Sequence, residues 1–356
     1  MNRSELIAKI RDGEIISGVL LDDADLDGAD LSGAIFEQTT FRGAKLANAT
    51  FKESILTECD LSGADLRGAD LHKVVMNGCS LARVDLRGAY LAAAALNETD
   101  LSFADLSRSN LILATLVQAN LSSATMADAD LDRTTILQAN TTGLVLAGAR
   151  LKSATVVQTD MRTAVLSGAR CEMAVFVGND FSEMVLSGLV FDRCQFTDAN
   201  LSGANLCDAT LIRCSFKGAN LTGAKLDGAR ADNAMFVSAV APRASFRGAS
   251  LSQALFVDAD LGCVDLSKAN LYQAIFHRAR CEGARFGGAE LTYADFSHAD
   301  LRRADFMDAV LYRARFHRAR EDGASFGPTR AVALGDDPEL AAGETWQERQ
   351  RSGVAA

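Results

Sequence analysis

Apolar residues recur in this chain at every fifth position. The recurrence runs from Leu21 to Phe326 without a change of phase, and most of these centre residues are Leu or Phe. A small residue, usually Ala, stands two positions before each centre, often with Asp or Asn between them. A five-residue period matches neither an α-helix, with a period of about 3.6, nor a flat strand, with a period of about 2. The pattern predicts a chain that turns a corner every five residues, with the small residue and the centre both pointing inward.

A second period of twenty residues overlies the first. Every fourth centre from Phe176 to Phe316 is Phe. Four corners per coil would stack equivalent residues of successive coils at strand spacing, about 4.8 Å apart. We call the side of the coil that carries this Phe series, and its twenty-residue continuation towards the N-terminus, the phenylalanine wall. The two periods together predict about fifteen coils.

The repeated unit, seen in Ala24-Asp25-Leu26 and Ala219-Asn220-Leu221, resembles that of the pentapeptide-repeat family over residues 19–327. The resemblance implies an all-β fold, a right-handed quadrilateral parallel β-helix (a solenoid) with a turn at every corner. Its handedness is what the resemblance implies, whereas the periods belong to the sequence itself. We expect residues 1–18 to form a capping helix and a lead-in strand.

The first residues have the pattern of a short amphipathic helix over positions 4–12. Ser4 is the expected N-cap, and Leu6, Ile7 and Ile10 form the expected apolar face. Such a helix would cover the open backbone edge of the first coil. The stretch from residue 3 to residue 33 is also similar to the opening of pentapeptide-repeat proteins encoded near bacterial type VI secretion genes. That similarity implies a bacterial, secretion-related assembly.

The C-terminal tail, residues 328–356, begins with Pro328, which stops the repeat. It is polar and acidic, and either a short cap or disorder agrees with its composition. As a cap, it would form a helix around positions 338–350 with Trp346 as its one anchor. A C-terminal helix makes a dimer in some family members. This tail is shorter and poorer in apolar residues, which does not support a homodimer.

Composition and charge exclude several classes of protein. The formal charge of −10 argues against direct nucleic-acid binding, which requires Lys and Arg to neutralise phosphates. No apolar run is long enough to span a bilayer, and the opening lacks the apolar core of a secretory signal. The eight Cys form no CxxC or CxxH motif, so neither a zinc site nor a redox motif is predicted. We therefore expect a cytoplasmic protein.

Four cysteines occupy the inward small position one coil apart, as the pairs Cys59/Cys79 and Cys194/Cys214. Stacked Cβ atoms about 4.8 Å apart are too distant for an unstrained disulfide. We expect these cysteines to be small core residues in place of Ala.

A group of basic side chains gathers on the phenylalanine wall near its C-terminal end. A metal would require neutral imidazoles, and the neighbouring guanidinium groups oppose one, so no metal is predicted. Two interpretations stay open, a patch for an anion or acidic partner and an ordinary solvated face. The residues are His277, Arg278, His298, Arg315, His317 and Arg318.

The phenylalanine wall also carries two outward rows that are largely apolar in its middle, beside a ladder of Gln. One interpretation is β-propensity, because β-branched side chains stabilise stacking between strands. The other is a partner-binding face, because contiguous exposed apolar surface marks interaction sites. The candidate residues are Thr115, Val117, Gln118, Thr135, Leu137, Gln138, Thr155, Val157, Gln158, Val175 and Val177.

Catalysis finds little support in the sequence. Cys281 lies near His277, but it is a repeat centre and should point into the core. No catalytic residue and no cofactor are predicted, and the leading hypothesis is a non-enzymatic scaffold or adaptor for a protein partner.

The alternative hypothesis is a DNA mimic. Some pentapeptide-repeat proteins resemble duplex DNA in width and charge and occupy the DNA groove of a type II topoisomerase such as gyrase. The excess of acidic residues over residues 1–110 favours this function here. The excess of basic residues over residues 268–320 and the lack of an insertion loop count against it.

Overall fold

The protein is a parallel β-solenoid in a computed structural model that describes residues 1–351, with the side chains of 348–351 left aside. The predicted class, a right-handed quadrilateral parallel β-helix, is confirmed, with about sixteen turns. The chain divides into two compact units, Met1–Ala199 and a second that begins at Asn200. Residues 352–356 of the predicted tail lie outside the described part of the chain.

Regular strands are short because a corner interrupts the backbone every five residues. Most of the remaining pairing consists of single parallel bridges between residues twenty positions apart, such as Asp25 with Lys45. The strands are β1 (Ile15–Ser17), β2 (Ile35–Glu37), β3 (Ile55–Thr57), β4 (Val75–Asn77), β5 (Ala95–Asn97), β6 (Thr115–Val117), β7 (Thr135–Leu137), β8 (Arg150–Lys152), β9 (Thr155–Val157), β10 (Arg170–Glu172), β11 (Val190–Asp192), β12 (Asp305–Phe306) and β13 (Ser325–Phe326).

The phenylalanine wall of the first unit is an eight-stranded parallel sheet. Its order is β1-β2-β3-β4-β5-β6-β7-β9, and each strand pairs with the residues twenty positions further on, as Ile15 pairs with Ile35. Strand β1 places Ile16 in the core, so the solenoid begins one centre earlier than Leu21. Strands β8, β10 and β11 form a second, three-stranded sheet, and β12 pairs with β13 in the second unit.

The corners explain the fixed five-residue register. At a typical corner, the amide of Ala24 donates to the carbonyl of Leu21 over 3.2 Å, and Asp23 between them has φ of +55°. The second residue after the centre adopts this left-handed conformation at nearly every corner of the repeat, whether it is Gly or not, and Thr163 is an exception. Glycine relieves the steric cost of positive φ, which is why Gly recurs at this position.

Corners that follow the three-residue strands of the first unit are built differently. Within the described residues, none of the corners after β1 to β11 has the four-residue backbone hydrogen bond. At several of these corners a polar side chain at the small inward position of the next coil donates to the carbonyl that is left free. Thr39 Oγ1 donates to Ile16 O over 3.0 Å, and Asn179 Nδ2 donates to Val156 O over 2.9 Å.

Two of the inward cysteines, Cys79 and Cys194, follow the same rule. Cys59, Cys79, Cys194 and Cys214 are all buried, as predicted. The Cys79 thiol lies 3.4 Å from Leu56 O, and the Cys194 thiol lies 3.4 Å from the main-chain oxygen of the centre one coil earlier. Cys79 and Cys194 are therefore more than replacements for Ala, because each thiol also supplies a weak donor to a carbonyl that the corner leaves free.

The core of each unit consists of stacked centres. Every centre from Leu21 to Phe316 is buried. In the first unit, the rings of Phe176 and Phe196 stack at 5.2 Å. In the second unit, Phe236 and Phe256 stack at 4.9 Å with only 4° between the ring planes. The predicted phenylalanine column is confirmed within each unit.

The N-terminal helix α1 spans Arg3–Arg11 and covers the first coil. Its N-cap is Asn2, whose side chain accepts a hydrogen bond from the amide of Glu5 over 2.9 Å. The prediction of Ser4 as the cap is wrong, because the helix begins one residue earlier and Ser4 lies inside its first turn. Of the predicted apolar face, Leu6 is fully buried, whereas Ile7 and Ile10 are half-buried.

The C-terminal segment is ordered through the described residues. A 3-10 helix, Pro328–Val332, leads to Leu334, which bridges to Arg315 as one more strand position. Helix α2 then spans Pro338–Arg351. Trp346 is 63% exposed, so its predicted role as anchor is wrong. Through residue 351, the chain contains no helix with the length and apolarity needed to cross a bilayer.

Candidate functional site

The predicted partner-binding residues lie together on the phenylalanine wall of the first unit. Six of them flank the buried centres of β6, β7 and β9, which are consecutive strands of the eight-stranded sheet. Their side chains are half-buried, because each packs against its counterpart on the next coil, as Leu137 pairs with Val157. Val175 bridges to Thr155 and extends the row, and Val177 is half-buried beside it.

The glutamine ladder borders these rows and is exposed. Gln118, Gln138 and Gln158 occupy left-handed corner positions, with φ of +55°, +52° and +55°. Gln138 Nε2 donates to Gln158 Oε1 over 3.0 Å. Hydrogen bonding along the ladder leaves the remaining amide groups directed to solvent.

The most exposed apolar side chains of this wall lie nearer the N-terminus than the candidate residues. Ile15 is 55% exposed and Ile55 is 41% exposed, and Ile35 is also exposed. In this region the row after the centre is polar, with Ser17, Glu37 and Thr57, so the isoleucines are not enclosed by apolar neighbours. The sequence pattern did not predict this gradient of exposure.

The basic residues lie in the second unit, and the structure brings only part of them together. The rings of His277 and His298 are 5.3 Å apart, and those of His298 and His317 are 5.5 Å apart. Arg278 forms a two-armed ion pair with Asp258, with contacts of 2.7 and 2.8 Å, and its third nitrogen lies 2.9 Å from His277 Nδ1. Burial and then the charge of Arg278 hold the pKa of His277 below its ordinary value.

His317 is buried at the contact between this wall and helix α2. Its side chain is only 4% exposed, which rules out a solvated face for this residue. The amide of Asp337 donates to His317 Nδ1 over 3.1 Å. A neutral imidazole with Nδ1 as acceptor carries its proton on Nε2, so His317 Nε2 donates to Glu344 Oε2 over 3.3 Å.

Glu344 of α2 is the centre of this arrangement, which we call the carboxylate pocket and define by His298, His317 and Arg318. His298 Nε2 lies 3.2 Å from Glu344 Oε1, and Arg318 Nε lies 3.2 Å from Oε2. Burial opposes ionisation of Glu344, but hydrogen bonds from His317 and His298 outweigh it and hold the pKa of this carboxyl below its ordinary value.

Arg318 also fixes α2 through its second arm. The guanidinium donates to Ala341 O over 2.8 Å and to Thr345 Oγ1 over 2.7 Å. The amide of Arg318 donates to Asp336 Oδ1 over 2.6 Å. Sequence reasoning missed Glu344 and Asp337, and the only signal was an acidic helix following a basic group of residues.

The ligand atoms of His298, His317 and Glu344 lie within 4.8 Å of one another, which raises the question of a metal. A metal on His317 Nε2 would require the proton to move to Nδ1, where the amide hydrogen of Asp337 already points. Arg318 supplies a positive charge to the same carboxylate. The donor set therefore fits a hydrogen-bonded carboxylate better than a cation.

Acidic side chains of the first unit are partly neutralised by arginines on the same wall. Arg67 and Arg87 each form a two-armed pair with the aspartate two positions earlier, Asp65 and Asp85. These hydrogen bonds hold the pKa of both carboxyls below the ordinary value. Asp85 and Asp105 bridge in parallel, so the carboxylates form a column one coil apart.

Cys281, considered above with His277, is fully buried. Burial raises the pKa of its thiol well above the ordinary value. A reactive cysteine requires a lowered pKa and access to solvent, and Cys281 has neither.

Comparison with solved structures returns pentapeptide-repeat proteins. HetL of the cyanobacterium Nostoc, involved in heterocyst differentiation regulation, is 24% identical, with 86% of this chain and 98% of HetL covered and a TM-score of 0.28. QnrB1, a plasmid-mediated fluoroquinolone resistance protein, is 14% identical, with 55% of this chain and 90% of QnrB1 covered and a TM-score of 0.38. No curated protein sequence matches the chain.

The family model described as pentapeptide repeats matches residues 20–57, 34–72, 44–81, 99–136, 145–182, 174–211, 214–253, 254–292 and 289–326. These segments cover well over half of the chain and coincide with the coils described above. The chain belongs to the pentapeptide-repeat family.

Proposed function

We propose that this protein is a non-enzymatic scaffold that binds a protein partner on the phenylalanine wall of its first unit. The observation that carries the proposal is the eight-stranded sheet. Its outward row before the centres is apolar or β-branched from β1 to β9, and its row after the centres is apolar from β6 to β9. Elsewhere in the described chain, sheets have three strands or fewer. The secretion-related setting implied by the N-terminal resemblance stays a prediction.

A rigid sheet has a physical advantage as a docking surface. Its backbone is fixed by bridges at every coil, so a partner does not have to order it on binding, and little conformational entropy is lost. The half-buried Leu137 and Val157 provide a flat apolar centre, and the exposed glutamine ladder provides a polar rim. This arrangement of an apolar core and a polar rim is typical of protein interfaces.

Replacing Leu137 and Val157 together by Arg tests the proposal. We expect loss of partner capture from a bacterial lysate, because two charges would have to be desolvated at the centre of the interface. The Val145→Arg/Val165→Arg variant is the matched control, since it places the same charges on a different wall of the same unit. Capture is read by quantitative proteomics, and folding by melting temperature.

The proposal fails if the folded Leu137/Val157 variant still captures the same partners as the wild type. A further variant, Ile35→Arg/Ile55→Arg, maps the extent of the surface. Loss of capture in this variant as well would extend the interface to the exposed N-terminal isoleucines.

The second candidate function is mimicry of DNA at a type II topoisomerase. The column of Asp65, Asp85 and Asp105 favours it, because carboxylates one coil apart form a row of negative charge. Arg67 and Arg87 weaken this row by forming ion pairs with all three of its members. A gyrase supercoiling assay at two salt concentrations distinguishes the two functions. Inhibition at low micromolar protein would support DNA mimicry, and no effect would favour the scaffold function.

A further inference from the structure

We propose that the carboxylate pocket is a binding site for an acidic helical segment of a partner protein, and that Glu344 occupies it in place of that segment. This inference concerns the second unit and is independent of the wall in the first. The pocket offers three donors to one carboxylate, from His298 Nε2, His317 Nε2 and Arg318 Nε, all within 3.3 Å. Charge-assisted hydrogen bonds of this kind are the strong ones.

The backbone of the pocket is fixed independently of helix α2, although the His317 ring also accepts a hydrogen bond from Asp337 just before that helix. His298 and Arg318 occupy left-handed corner positions, with φ of +61° and +51°, and the amide of His298 donates to His317 O over 2.8 Å. The backbone of all three residues belongs to coils fixed by bridges on both sides of the site, such as Asp295 with Arg315. A binding site of this kind does not need to be assembled when its ligand arrives.

Helix α2 is held mainly by polar contacts. Leu340 is 50% exposed and Trp346 more so, and the helix contributes no fully buried side chain among its described residues. Its contacts with the coil include those of Glu344, the two bonds from Arg318, and the Asp336 and Asp337 contacts at its start. A competing segment with the same acidic chemistry can replace such contacts without loss of an apolar core.

A second cation at the site points to a ligand with more than one carboxylate. A cavity of about 770 Å³ lies between the wall and the segment that leads into α2, lined by Ser297, Arg315, His317 and residues 333–340. Arg315 is exposed there and forms no ion pair with any residue of the described chain. A partner segment that places one carboxylate in the pocket and another near Arg315 would use a charge that α2 leaves unused.

The test measures the binding of a fluorescein-labelled peptide to the full-length chain. The peptide has the sequence of residues 336–347. We expect the peptide to bind the Glu344→Gln chain at least about tenfold more tightly than the wild type. In the wild type Glu344 occupies the pocket, and the apparent affinity for the peptide falls in proportion to the fraction of molecules whose pocket is open. Affinity is measured by fluorescence anisotropy. The same peptide with Gln at position 344 should not bind.

Two further variants make the result specific. Asp308→Asn removes an exposed carboxylate from the same unit, outside both the pocket and the cavity, and should leave the wild-type affinity unchanged. Adding Arg318→Gln to the Glu344→Gln chain should abolish peptide binding, and circular dichroism with melting curves verifies that each variant is folded.

Three outcomes would overturn the proposal. The first is equal affinity of the peptide for the wild-type and Glu344→Gln chains, and the second is equal binding of the Glu and Gln peptides. The third uses Trp346, the single tryptophan of the chain, as a reporter of α2. If the fluorescence anisotropy of Trp346 falls in the Glu344→Gln chain, helix α2 has been released from the coil. If the peptide still does not bind to that chain, Glu344 only tethers the tail.

Discussion

At the scale of the residue, the determining feature is the left-handed conformation two positions after each centre. Ordinary side chains, including Arg83, Ala93 and Phe103, adopt it at φ between +56° and +59°. For a residue with a Cβ this conformation costs about 1–2 kcal/mol. The chain accepts this cost repeatedly because a corner is required at every fifth residue, and packing of the centres offsets it.

Ala93→Gly should therefore stabilise the protein, although Gly normally destabilises. Relief of the left-handed strain exceeds the entropic cost of Gly, and we expect a net gain of about 0.5–1 kcal/mol in the free energy of unfolding. Urea unfolding monitored by circular dichroism measures it. The adjacent Ala92, buried and without positive φ, is the matched control, and Ala92→Gly should destabilise. Equal destabilisation by both changes would contradict the explanation.

At the scale of the element, the stacked phenylalanines hold successive coils in register. Phe256 stacks on Phe236 at 4.9 Å and on Phe276 at 4.8 Å, nearly parallel to both. Each ring fills the space between its neighbours, so removal of one ring leaves a cavity that adjacent coils cannot close without breaking their ladder bonds.

Phe256→Ala should lower the free energy of unfolding by about 3–5 kcal/mol. Phe256→Leu should cost less, because Leu fills the centre on most other columns. Guanidinium unfolding curves give both values. Phe103→Ala is the control, since that ring is mostly exposed and lies beneath the guanidinium of Arg83. A loss at Phe256 no larger than the loss at Phe103 would show that the column does not stabilise the coils.

The sequence predicts those structural elements that produce a periodic pattern of residues, and it does not predict contacts that produce no such pattern. Burial of the centres and stacking of the rings follow directly from the five- and twenty-residue periods. The open corners leave a fainter trace, Thr, Cys or Asn in place of Ala, as at Thr39 and Asn179. The contacts of Glu344 leave no trace in the sequence pattern, because the tail has no repeat and the histidine partners of Glu344 lie 27 and 46 residues away.

At the scale of the whole molecule, ion pairs between aspartate and arginine recur in both units. Asp85 with Arg87, Asp160 with Arg162 and Asp300 with Arg302 all use the aspartate two positions before the arginine. In each pair the hydrogen bonds from arginine hold the pKa of the carboxyl below its ordinary value.

These pairs predict a loss of stability in acid. A lowered carboxyl pKa contributes stability that is fully present above the unfolded-state pKa of about 3.9 and is lost as pH falls through the folded value. The melting temperature should therefore fall progressively below about pH 4 and change little between pH 5 and pH 7. Arg302→Gln should reduce this acid sensitivity. A melting temperature that is constant down to pH 2.5 would contradict the prediction.

The unbroken twenty-residue coil also determines how such a chain changes length in evolution. Duplication of sixty nucleotides adds one complete coil and returns every later residue to its own column. An insertion of five residues preserves each corner but rotates the following chain by a quarter of a coil. Placed after Cys263, it would seat Phe276 over Leu261 and Leu271 over Phe256. Selection on the core therefore favours growth by whole coils, and length variants of this protein should differ by multiples of twenty residues.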